Sequence, residues 1–270
     1  MKRISAKFNE LKNKNKKAFI GYICAQDPDF NSSLEILKKL PEAGVDIIEL
    51  GIAFQDPAGD GPIIESASKR AIANSANLKK TLLMTREFRK IDNTTPIILM
   101  GYFNSFLKYG INEIFLDAQN SGVDGVIIVD LPFEEREEIS QYLIEAKLDF
   151  IDLIAPLTQE SRIKKITNQS SGFIYLVSML GITGTKIAKA EDNIDIISAI
   201  RKNCDLPIVI GFGIKDPKTA EEFCKLDIDG IVVGSSIVKV IEDGFNSKNS
   251  SQEIINNTIK IVGEFSKKIK

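Results

Sequence analysis

Eight short, β-branched apolar runs alternate along this chain with longer amphipathic segments, and that alternation limits what it can fold into more than any other feature. The runs fall at 18–24, 47–51, 96–101, 125–129, 150–154, 173–177, 207–211 and 230–233. Between them, 32–43, 78–90, 111–121, 134–146, 158–169, 193–202 and 217–226 carry apolar residues at i, i+3 and i+4, the spacing of crossover helices. Runs that are apolar throughout, rather than alternating with polar residues, belong to strands covered on both faces, and regular β-then-α order makes their sheet parallel. Eight such units favour closure over an open doubly wound sheet. The length of 270 residues also suits a (β/α)8 barrel, which typically takes about 250.

A weak repeat agrees with this reading. Val45-Asp46-Ile47-Ile48, Val123-Asp124-Gly125-Val126, Leu148-Asp149-Phe150-Ile151 and Ile228-Asp229-Gly230-Ile231 each place an Asp just before an apolar run. Pro41 is expected to end or kink the first crossover helix. Ile4, Phe8 and Leu11 recur at helical spacing, which predicts an extra N-terminal helix packed on the barrel. A membrane-surface helix is the alternative there, with a small apolar face against it. No Gly/Ser-rich linker divides the chain, so 1–270 reads as a single α/β domain of TIM-barrel type.

Composition narrows the chemistry. There is no histidine, so proton transfer falls to Glu, Asp, Lys, Tyr or Cys. With Lys+Arg 35 against Asp+Glu 37 and a net charge of -2, nothing points to nucleic acid or an anionic membrane surface. No uninterrupted apolar stretch approaches a membrane span, and no signal-type segment precedes the barrel. Cys24, Cys204 and Cys224 are odd in number and lack C-x-x-C spacing, which predicts reduced thiols and a cytoplasmic protein.

Barrels of this class carry their active sites at the C-terminal ends of the strands. Glu49 lies within the second run, where burial would raise its pKa toward that of a general acid/base; an ion-paired Glu is the bland alternative. Asp60 follows in a Gly/Pro-rich loop. Alone it reads as a turn former, and its place after the same strand as Glu49 favours a functional role. The last two runs end in Gly211-Phe212-Gly213-Ile214 and Gly234-Ser235-Ser236-Ile237, a pair of glycine-bearing turns suited to a phosphate. Ser235 is expected to open a short helix at that phosphate. The segment from Ser178 to Asp192, including Thr183, Gly184 and Lys186, reads as a lid or simply as a long connection. Tyr22, Met100, Ile127, Val129, Leu153, Tyr175 and Phe212 near strand ends suggest a flat apolar ligand carrying a phosphate.

These residues, in order, resemble the tryptophan synthase alpha chain family over nearly the whole length. The specific stretch is Glu49-Leu50-Gly51 through Asp56-Pro57 to Asp60-Gly61-Pro62. Asp27-Pro28, Met100-Gly101-Tyr102 with Asn104, Asp130-Leu131-Pro132, Gly181-Ile182-Thr183-Gly184 and the two glycine turns support it. The resemblance implies retro-aldol cleavage of indole-3-glycerol phosphate to indole and glyceraldehyde 3-phosphate, with no cofactor in this chain. It implies Glu49 as acid/base and Asp60 as the indole N–H anchor. Gly184, Gly213, Gly234 and Ser235 would hold the phosphate, Tyr22, Tyr175 and Phe212 the indole, and Thr183 would fold toward Asp60. Tyr102 joins the substrate-binding set. It further implies a pyridoxal phosphate-dependent beta subunit in an alpha-beta-beta-alpha heterotetramer that consumes the indole. Ala53-Phe54-Gln55, Ala58-Gly59 and Tyr102-Phe103-Asn104-Ser105 depart from the family pattern on the partner side. A chain acting chiefly as activator of a beta subunit, or another phosphosugar barrel such as a stand-alone indole lyase, stays open at this point.

Overall fold

The structure is a computed structural model that describes residues 2–178, 190–211 and 213–270. Its strands are β1 (Ala18–Cys24), β2 (Ile47–Gly51), β3 (Ile97–Gly101), β4 (Gly125–Ile128), β5 (Asp149–Phe150), β6 (Asp152–Ile154), β7 (Ile174–Val177), β8 (Ile208–Gly211) and β9 (Gly230–Val233). All pairings are parallel, in the order β5-β4-β3-β2-β1-β9-β8-β7-β6. The two ends of that order are halves of one stave. The Ile151 amide between them still donates to the Val126 carbonyl at 3.0 Å, so the barrel closes through the continuous chain. The fifth run of the sequence is thus one barrel position interrupted by a local irregularity.

Twelve α-helices surround the strands among the described residues: α1 (Arg3–Asn13), α2 (Phe30–Lys39), α3 (Pro62–Ala73), α4 (Leu78–Arg89), α5 (Phe103–Tyr109), α6 (Ile111–Asn120), α7 (Glu137–Glu145), α8 (Glu160–Thr167), α9 (Ile194–Asn203), α10 (Pro217–Phe223), α11 (Ser235–Asn246) and α12 (Ser251–Ile269). The helix α2 stops at Lys39, with Leu40 as its C-cap ahead of Pro41. Side chains start several others. Asp29 accepts from the Asn31 and Ser32 amides, Asn77 from Lys80, and Asp216 from Thr219, while Ser250 and Glu253 form a capping box. The expected short helix after the last strand is 12 residues long. The helices α3, α5 and α12 add to the seven crossover segments read from periodicity.

Alternation along each strand separates two layers of core. Phe19, Ile48, Leu50, Ile97, Leu99 and their counterparts pack outward against the helices. Ile20, Tyr22, Ile47, Ile98, Met100, Phe173, Tyr175 and Val209 fill the barrel. The α1 residues Ile4, Phe8 and Leu11 belong to this inner cluster, and the Phe8 and Phe173 rings meet at 5.6 Å between centroids. The N-terminal helix is therefore a plug for the barrel interior, not a membrane-surface element.

The Asp repeat has a structural role at the strand starts. Asp46 accepts from the Phe19 amide at 2.9 Å, Asp124 from Ile97 at 2.8 Å, and Asp229 from Ile208 at 2.8 Å. Each carboxylate thereby satisfies an amide at the start of the neighbouring strand, a donor that would otherwise be buried without a partner. Each also holds a cation: Lys270 on Asp46, Arg3 and Arg89 on Asp124, and Arg201 on Asp229. Asp149 instead pairs with Lys2 at 2.7 Å. Among the described residues no helix is long and apolar enough to cross a membrane.

Candidate active site

The strand β2 sends Ile48 and Leu50 outward, and the same parity turns Glu49 into the barrel beside Tyr22, its partner across the β1–β2 register. Glu49 is 1% exposed, and its Oε2 has no hydrogen-bond partner among the described residues. Burial, reinforced by the nearby negative charge of Asp60, raises its pKa to about 8. At neutral pH this carboxyl is mostly protonated and can give a proton away.

Asp60 reaches the same cavity from the loop after β2. Its backbone amide donates to the Pro57 carbonyl at 2.9 Å, closing a turn that aims the carboxyl inward. Burial raises its pKa to about 6, against a hydrogen bond from the Tyr102 hydroxyl that favours the ionised form. Asp60 is therefore a carboxylate at neutral pH. Tyr102 also accepts from the Gly59 amide at 2.9 Å and stacks on Phe54 with centroids 5.0 Å apart. Asp130 in turn holds the start of the Tyr102 helix, accepting from the Phe103 amide at 2.7 Å. Tyr102 is thus the partner that orients and ionises Asp60, a role its place after β3 did not reveal.

The cavity is open to solvent at the strand ends and spans about 450 Å³ when its open mouth is included. Seven of the expected residues line it together: Glu49, Asp60, Tyr22, Tyr175, Gly213, Gly234 and Ser235. Met100, also expected near a strand end, joins them, and so do Ile64, Ile214 and Val232, which sequence reasoning did not single out as lining residues. The signal for Val232 was strand parity in β9, and for Ile64 it was Pro62 at the first position of α3, which places the next turn beside Asp60. Two glycines make room for the tyrosine rings. A methyl group on Gly51 would lie 2.2 Å from the Tyr22 hydroxyl, and one on Gly211 would lie 2.1 Å from that of Tyr175. Both hydroxyls stay protonated, since burial pushes their pKa values well above the ordinary range.

At the other end, α11 begins at Ser235 with Gly234 as its N-cap. The Ile237 and Val238 amides are bonded to the Gly234 carbonyl, so the Ser235 and Ser236 amides precede any intrahelical acceptor. A helix start whose first amides have no intrahelical acceptor, at a positive dipole end, suits a phosphate. Gly213 faces this point with φ 78°, a conformation that glycine adopts without strain. The candidates Thr183, Gly184 and Phe212 lie outside the described residues, as do residues 179–189 of the segment from Ser178 to Asp192 that reads as a lid.

A family model described as tryptophan synthase alpha chain matches residues 8–270. The chain belongs to the tryptophan synthase alpha chain family. Solved alpha chains share its architecture. The crystal structure of tryptophan synthase subunit alpha from Legionella pneumophila str. Paris is 32% identical, with a TM-score of 0.90 over 100% of this chain and 98% of that one. A chain from Aquifex aeolicus VF5 is 33% identical, with a TM-score of 0.89 and full coverage of both. Tryptophan synthase from M. tuberculosis in its aminoacrylate-bound form is 26% identical, with a TM-score of 0.87 and full coverage of both. This alpha chain is a lyase, and its reaction is the cleavage of indole-3-glycerol phosphate to indole and glyceraldehyde 3-phosphate.

Proposed function

We propose that Glu49 and Asp60 divide the lyase reaction between them in the cavity at the strand ends. The observation that carries this reading is the buried Glu49 carboxyl with an unpartnered oxygen, in a cavity it shares with a second carboxyl of lower pKa. Two carboxyls whose environments push their pKa values apart can serve as donor and as charge stabiliser at one pH. Glu49 protonates the indole ring carbon that bears the glycerol chain. The positive charge that develops on the ring nitrogen is then met by the Asp60 carboxylate, which accepts the indole N–H. Glu49, now ionised, takes the proton of the adjacent glycerol hydroxyl. The carbon–carbon bond breaks, its electron pair returns to the ring, and indole and an aldehyde result with Glu49 restored.

Gly213, Gly234 and Ser235 receive the phosphate, with Gly184 as a further contributor. Tyr22 and Tyr175 bound the indole, Phe212 and Thr183 are assigned to the substrate on the family resemblance, and Tyr102 holds Asp60 in place. No step needs a cofactor in this chain. Indole passes to a beta subunit carrying pyridoxal phosphate in an alpha-beta-beta-alpha heterotetramer. Leu107 and Leu157, which follow β3 and β6 on the active-site rim, are exposed large apolar residues suited to cover by that partner. The match over 8–270 supports one domain across the chain, and three unpaired thiols suit a cytoplasmic setting. The family match does not favour an activator-only chain or another phosphosugar barrel.

The test is indole release from indole-3-glycerol phosphate, measured with and without a beta subunit. Glu49→Gln keeps the shape and removes the transferable proton, so turnover is expected to fall by about 10²- to 10⁴-fold. Undiminished turnover in that variant would remove Glu49 from the mechanism.

A further inference from the structure

A buried cluster outside the cavity links the elements that build it. The Arg70 guanidinium, on α3, grips Asp27 with two parallel bonds, Nε to Oδ1 at 2.8 Å and Nη2 to Oδ2 at 2.9 Å. Its remaining nitrogen donates to Glu242 Oε1 on α11 at 3.1 Å and to Ser66 Oγ at 2.9 Å. The Asp27 side chain is fully buried, and those of Arg70 and Glu242 are 9% and 13% exposed. Asn74, the C-cap of α3, donates to the Pro28 carbonyl at 2.6 Å and ties the same loop again.

The placement of this cluster relates directly to the two ends of the cavity. The helix α3 starts at Pro62, just after Asp60, and α11 starts at Ser235, at the phosphate end. Arg70 lies eight residues beyond Pro62 and Glu242 seven beyond Ser235, which is about 10–12 Å down each axis. The two helices thus leave the cavity side by side and are joined at matching depth. Asp27 brings in the loop after β1, the strand that carries Tyr22. A buried ion pair of this kind is weak support for stability, because desolvation offsets much of its attraction. A planar guanidinium with donors in a fixed fork is instead well suited to setting distances and angles.

We propose that Arg70 is a positioning residue whose clamp on Asp27 and Glu242 sets the span between the carboxyl end and the phosphate end of the cavity. The inference rests on the proposed substrate, which has to touch Asp60 and the start of α11 at once. A ligand that bridges both ends is sensitive to their separation; one that occupies a single end is not. Misplacement by about 1 Å can cost on the order of 100-fold in rate for a correctly built site.

The experiment compares wild type, Arg70→Lys, Arg70→Ala and Glu242→Gln in steady-state cleavage of indole-3-glycerol phosphate, with equilibrium binding of inorganic phosphate measured alongside. Arg70→Ala is expected to lower kcat/KM for the bridging substrate about 10-fold or more, with a raised KM carrying part of the loss. Inorganic phosphate should bind all variants with nearly wild-type affinity. Arg70→Lys keeps the charge without the fork and should fall between wild type and Arg70→Ala. A purely structural role would lower the active fraction, and so kcat, while leaving KM alone. If Arg70→Ala does not fold, Arg70→Lys and Glu242→Gln decide the matter by the same KM comparison. Wild-type KM in these variants, or phosphate affinity lost in proportion to KM, would overturn the clamp. A wild-type chain that does not turn over the substrate would instead overturn the substrate assignment on which the clamp depends.

Discussion

Glu49 and Asp60 differ by one methylene in chemistry and by their surroundings in function. Burial acts on both, but only Asp60 has a donor, the Tyr102 hydroxyl, that stabilises its charge. The free-enzyme profile of kcat/KM should therefore fall above about pH 8, where Glu49 loses its proton, and below about pH 6, where Asp60 gains one. Tyr102→Phe removes that donor, raises the Asp60 pKa and should move the acidic limb to higher pH. The substrate phosphate titrates in the same range, so the displacement between wild type and variant is the readout. Stability gives a separate check. The Glu49 pKa is raised on folding from 4.5 to about 8, so its contribution is intact below 4.5 and is lost as pH rises through 8. Thermal melts should show Glu49→Gln gaining on wild type across that window; parallel melting curves with pH would contradict it.

At the scale of elements, the strand ends are shaped by what their neighbours lack. The Tyr22 ring occupies the space a side chain on Gly51 would need, and Tyr175 does the same over Gly211. Gly51→Ala would press a methyl group against both the hydroxyl and the ring of Tyr22. The expected cost is about 1–3 kcal/mol of stability together with reduced turnover. Replacing Tyr22 by Leu in the same chain should recover part of the lost Tm, whereas an unrelieved double variant would place the strain elsewhere. Strands and most crossover helices were readable because parity and the 3.6-residue period survive in a single sequence. The helix α3 was not, since it follows a turn-rich loop and its buried stripe, Ile64, Ala67, Ser68 and Ala71, is mostly small and partly polar. The irregularity at Ile151 is likewise a matter of local geometry within an apolar run that reads as continuous.

Across the whole molecule, the barrel has chemistry at one end and a plug at the other. Phe8 is buried in the inner cluster against Phe173. Phe8→Ala should cost about 3–5 kcal/mol in denaturant unfolding. Because the plug lies at the strand starts, turnover by the folded fraction should stay close to wild type. A selective loss of kcat without loss of stability would show instead that the plug communicates with the cavity. The Asp-capped strand starts and the Arg70 cluster serve the same architecture from opposite ends. The first joins neighbouring strands through Asp46, Asp124 and Asp229; the second joins α3, α11 and the loop after β1.

The sequence alone determined the order of strands and helices, the (β/α)8 class, and Glu49 and Asp60 as the acids to examine, because periodicity and strand-end position are local properties of a chain. Tertiary structure decided what those acids are. The proton on Glu49 depends on complete burial with an unpartnered oxygen, and the charge on Asp60 depends on a hydroxyl 42 residues away along the chain. Asp27, Arg70 and Glu242 carry no local motif that joins them. They meet because barrel closure brings β1, α3 and α11 together, and long-range juxtaposition of that kind leaves no period or spacing for a sequence to display.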